Sequence, residues 1–137
     1  MDEEPMVDVA LARIVQRDHA EQQYIYLSER EGKRGFPIVI GAAEAGEIHR
    51  VVSGFATQRP LTHQLAYASI QALGSSLARV DIVSLRKNTF YAELVLRDSA
   101  GELRKVDARP SDAIALALRA RCPIRVAETV LKAASTE

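Results

Sequence analysis

The chain has 137 residues, 47% hydrophobic and 26% charged, enough apolar material for the core of one domain and too much for intrinsic disorder. Eighteen basic residues balance eighteen acidic ones for a formal net charge of zero. That excludes a protein drawn to nucleic acid by global charge, so any phosphate-binding surface has to be local. The single cysteine, Cys122, excludes an intramolecular disulfide and a zinc site built on several thiolates, and reads as a buried small hydrophobe.

Residues 1–6 read as a flexible tail; their acidic start, MDEEPM, is not the basic-then-apolar pattern of a signal peptide. No run approaches the ~18 apolar residues of a membrane helix, so the expectation is a cytoplasmic protein without membrane attachment. Strands are expected at Val7–Val15 and Tyr24–Ser28, joined by a polar turn over Arg17–Gln22, and at Phe36–Ile40, where Pro37 points to a strand start or a sheet edge. A helix follows over Ala42–Ser53, with Ala45, Ile48 and Val52 on one face and Gly54 as its stop. Thr62–Leu73 reads as a second helix, N-capped by Thr62, with Leu65, Ser69, Ala72 and Leu73 as its apolar stripe.

Strands return at Val80–Leu85, Phe90–Leu96 and Leu103–Ala108, separated by turns at Arg86–Asn88 and Asp98–Gly101. A helix from Pro110 or Ser111 to Ala120 is apolar all round at Ala113–Leu118, the mark of a buried central helix. A short strand, Ile124–Val126, and a short helix, Glu128–Lys132, complete the core of a single domain over 7–132, with 133–137 as a second tail. Three strands then a helix occur twice, and a shift of 67 residues aligns Val15 with Ile82, Tyr24 with Tyr91, Leu27 with Leu94 and Val39 with Val106. The expected class is α+β: duplicated three-strand-plus-helix units in a largely antiparallel or mixed sheet packed around a buried helix.

Two segments place polar residues at helix starts, where free N–H groups and the dipole favour anions: Arg59-Pro60-Leu61-Thr62-His63-Gln64 and Asp107-Ala108-Arg109-Pro110-Ser111-Asp112. His63, in a first turn whose dipole disfavours the imidazolium, is a candidate general base. Asp107 and Asp112 are candidates to accept a proton or to hold a divalent cation such as Mg2+ through oxygen. Arg59 and Arg109 can clamp phosphate, with Thr62 and Ser111 contributing hydroxyls. The same residues also read as ordinary caps, with Arg109 and its neighbouring Asp as an internal ion pair.

Taken together, these segments resemble the bacterial and plant bifunctional nuclease family. The resemblance rests on FPIVIG at Phe36–Gly41, Glu44-Ala45, Arg59-Pro60 with Thr62-His63, TFYA at Thr89–Ala92, and above all DARPSDAIALALR at Asp107–Arg119 followed by Pro123, Ile124 and Val126. It implies an α+β fold with a duplicated half, self-association as a homodimer or higher oligomer, and cleavage of both DNA and RNA. The family pattern usually reads Thr-His-Asp-Leu, whereas Gln64 here replaces the carboxylate by an amide. Two functions compete: a phosphodiesterase cleaving DNA and RNA, metal-assisted or by acid–base chemistry, and a non-catalytic oligomeric module that binds nucleic acid, a nucleotide or a protein partner.

Overall fold

The computed structural model describes residues 4–16 and 22–135; the turn expected over Arg17–Gln22 lies, apart from Gln22, outside them. Eleven elements follow one another: β1 (Met6–Val15), β2 (Gln22–Glu29), β3 (Gly35–Gly41), α1 (Ala42–Ser53), α2 (Thr62–Ala72), β4 (Ser76–Arg86), β5 (Thr89–Arg97), β6 (Leu103–Ala108), α3 (Pro110–Ala120), β7 (Ile124–Ala127) and α4 (Glu128–Ala134). The seven strands form one open mixed sheet in the order β3-β2-β1-β7-β4-β5-β6. Pairing is antiparallel throughout except between β4 and β7, which run parallel. The fold is α+β, and the shift of 67 carries β2 onto β5, β3 onto β6 and α1 onto α3 to within one residue at either end.

Turn chemistry explains the hairpins. Lys87 and Asn88 both take positive φ (50° and 63°) between the paired residues Arg86 and Thr89, the two-residue geometry that matches strand twist. Pro37 sits on β3, an edge of the sheet, where its missing N–H costs no ladder bond to a further strand. Met6, expected in a tail, is the first residue of β1 and pairs with Ala127, while Pro5 accepts a hydrogen bond from the Glu128 amide.

The sheet curls around α3. Phe36 on β3 meets Phe90 on β5 with ring centroids 5.4 Å apart, although four strands separate β3 from β5 in the sheet order. Ser111 and Ala113–Ala117 of α3 are buried, packed with Val9, Ile25, Val80 and Ile82 from three strands. All-round apolar character demanded this, because a helix with no polar face has no side to give to water. Ile114→Val removes one methylene from a fully buried position and should cost about 0.5–1.5 kcal/mol in urea unfolding; an unchanged midpoint would place the helix at the surface.

α2 departs from expectation. None of its residues is buried, and Leu65 and Leu73 stand out in solvent. Ala66 and Tyr67 pack against the core instead, because α2 lies outside α3 and meets it along one narrow line. Val52 of α1, also expected inward, is exposed. None of the described helices is long and apolar enough to cross a membrane.

Candidate active site

The two segments singled out in the sequence meet at the starts of α2 and α3. Pro110 opens α3 as its first helical residue, where its missing N–H is no loss. Asp112 then falls three residues after the N-cap Arg109, and the arginine folds over it: Nε donates to Oδ2 at 2.9 Å and Nη2 to Oδ1 at 3.2 Å. In α2, the Gln64 side-chain oxygen accepts from the Leu61 amide at 2.6 Å and from the Thr57 hydroxyl at 3.0 Å. The N-cap is therefore Leu61, not Thr62. Gln64 faces back into its own turn, where an acceptor is all that is needed. Gln64→Ala should cost about 1 kcal/mol by thermal melt through loss of the cap, and Gln64→Asp should retain it.

With that turn fixed, His63 reaches across to α3, and its Nε2 lies 2.8 Å from Asp112 Oδ1. Burial raises the Asp112 pKa, but hydrogen bonds from Arg109 and His63 outweigh it and hold the carboxyl below its ordinary range. An ionised carboxylate only accepts, so Nε2 carries the proton and a neutral ring keeps its lone pair on Nδ1. Arg109 Nη2 continues the chain to Glu44 Oε2 at 3.9 Å. These groups, with Thr62, Leu116 and the α1 residues Glu47 and Arg50, line an open cleft of about 770 Å³ between α1, α2 and α3.

Behind them lies a cluster that the sequence reading missed. Glu47 is 1% exposed; its carboxylate takes Arg50 Nη2 at 2.9 Å and Arg119 Nη2 at 2.8 Å. The Nε atoms of both arginines are buried without a partner among the described residues. The available signal was an acid between core positions Ala45 and Ile48 with an arginine three residues on.

The other candidates sit elsewhere. Ser111 and Arg109 line a neighbouring cleft. Arg59 is exposed, just before α2, and has no partner among the described residues. Asp107 lies on the opposite face of the sheet, because strand residues alternate: its neighbour Ala108 pairs with core residue Ala92, while Asp107 pairs with Glu93 beside Lys105. The structure therefore joins His63 to Asp112 and does not bring Asp107 to them. Burial pushes the Cys122 thiol up to about 11, so it is no nucleophile at neutral pH.

Residues 25–137 match the bifunctional nuclease domain. The chain belongs to that family. Relatives of this bifunctional nuclease domain include two uncharacterized proteins, one from each of two strains of Mycobacterium tuberculosis; each is 43% identical over 126 residues, covering 92% of this chain and 74% of its own length. No group of three or more His, Cys, Asp or Glu side chains suited to a metal occurs among the described residues, and both Asp112 oxygens are already engaged. These residues do not fit a protein-held cation.

Proposed function

We propose that this bifunctional nuclease domain is a phosphodiesterase acting on DNA and RNA by acid–base chemistry at the His63–Asp112 pair. The observation that carries the reading is the 2.8 Å contact between His63 and Asp112, 49 residues apart, beside the Arg109 guanidinium in an open cleft. Asp112 fixes the ring and its tautomer, as a carboxylate does for a catalytic histidine. His63 Nδ1 takes the proton of a water, or of an RNA 2′-hydroxyl, as that oxygen bonds to phosphorus. The bond to the leaving oxygen breaks, and the imidazolium returns the proton to it. Arg109 Nη1, unpartnered among the described residues, offers charge to the phosphate oxygens. The test is cleavage of single-stranded DNA and RNA by protein purified to constant specific activity, with and without a chelator. Activity that follows the protein and survives chelation supports the reading; activity that separates from the protein overturns it.

The second reading, a non-catalytic oligomeric module, draws on Val52, Phe55, Leu61 and Leu65, all exposed around the end of α1, the connector and the start of α2. We also propose self-association, as a dimer or larger. Light scattering should give at least about twice the 15.0 kDa chain mass; a monomer at micromolar concentration would sink it.

A further inference from the structure

A second cleft, of about 510 Å³, adjoins the first across Glu44 and Arg109, which line both. Its walls are the β3 edge strand, the start of β5 at Thr89 and Phe90, and the first turn of α3. Two independent features of that turn are unspent. The N-cap Arg109 has no side-chain acceptor for the helix, and the first intrahelical bond runs from the Ala113 amide to the Arg109 carbonyl. The amides of Ser111 and Asp112 therefore have no partner within the helix. Ser111 is 7% exposed, lines the cleft, and its hydroxyl has no partner among the described residues. The hydroxyl of this largely buried residue opens onto the cleft, where it can donate to a ligand oxygen.

We infer that the start of α3 is a phosphate subsite, which takes the phosphate next to the one that His63 acts on. The phosphate accepts from the Ser111 hydroxyl and the two free amides, at the positive end of an eleven-residue helix. Arg109, shared by both clefts, lies between the two phosphates. Glu44 faces the same space, 3.9 Å from Arg109, and opposes the bound anion. This assignment rests on the proposed phosphodiesterase reading for the word "next", but anion binding itself does not.

The test is an amide chemical-shift titration with inorganic phosphate and, separately, with a nucleoside 5′-monophosphate. Saturable shifts of the Ser111 and Asp112 amides are expected, with a Kd of ~1 mM or tighter for the nucleotide. Ser111→Asp places a carboxylate in the subsite and should weaken binding at least ~10-fold, while Glu44→Gln should tighten it several-fold. Ser111→Ala, a smaller change that keeps the helix start, should weaken it a few-fold. In cleavage, a terminal phosphate on a dinucleotide should raise kcat/KM by about 10-fold in the parent and not in Ser111→Asp. Absence of saturable shifts at these amides, or equal Kd in the parent and both Ser111 variants, overturns the subsite. Equal affinity for inorganic phosphate and nucleotide overturns its assignment to nucleic acid. If phosphate binds but nucleic acid is not cleaved, the phosphodiesterase reading falls and the anion site stands.

Discussion

On the proposed acid–base reading, His63→Ala should lower cleavage of single-stranded DNA and RNA by about 10²-fold or more, the usual scale for a positioned acid–base group. The loss comes from proton transfer, since Asp112 keeps its bonds to Arg109 and the start of α3 stays in place. Asp112→Asn should lower the rate by a different route: an amide can donate as well as accept, so nothing would force the proton onto Nε2 and the lone pair onto Nδ1. The two losses should not add, because both variants disable one unit. Rates are compared on variants purified by one protocol with circular dichroism matched to the parent. Equal rates for parent and variants would assign the activity to a contaminant or another surface.

Glu47→Ala removes about 3–5 kcal/mol of stability, the scale for stripping one partner from a buried ion pair. Two guanidinium groups, from α1 and α3, lose the acceptor they share. Both arginines are partly exposed, at 34% and 24% of the side chain, so they can swing toward water and hold the loss to the lower end. Urea unfolding measures it; a loss below about 0.5 kcal/mol would show the cluster to be incidental. Burial raises the Glu47 pKa, yet hydrogen bonds from Arg119 and Arg50 outweigh it and bring it below the ordinary 4.5. A carboxyl lowered in the folded state stabilises fully above its unfolded value and ceases to as pH falls through the folded one. The gap between parent and Glu47→Ala is therefore constant from neutral pH to about 4.5 and closes in acid.

What the sequence made legible was what local pattern decides. The span of α1, a turn at Arg86–Asn88 (Arg86 itself ends β4), a strand start or edge at Pro37 and the burial of α3 followed from turn residues, proline and periodicity. Leu65 and Leu73 were misread because a helical stripe shows only that a face is apolar, and α2 has too little neighbour to cover its own. At the site, His63, Asp112 and Arg109 were each visible as helix-start residues, but their meeting depends on how α2 lies across α3. Asp107 looked equivalent to Asp112 along the chain; strand alternation sends it to the far face. Glu47 escaped notice because an acid in mid-helix reads as surface until its two arginine partners, one of them 72 residues away, are placed.

The position of β7 has a consequence for how the protein is made. This strand is the seventh in the chain yet lies fourth of the seven across the sheet, between β1 and β4, and carries the ladders that join the two halves. Each three-strand unit can zip up from its own hairpins, but β1 and β4 each keep a bare edge until residues 124–127 arrive. At ~5–20 residues per second on the ribosome, the edge of β1 waits for roughly 5–20 s. Closure then requires contacts between residues more than a hundred apart, such as Val9 with Ile124, the high-contact-order step that slows a small domain most. Throughout that interval the nascent chain presents an open strand edge to its neighbours on the same polysome, so co-translational association is the hazard built into this topology.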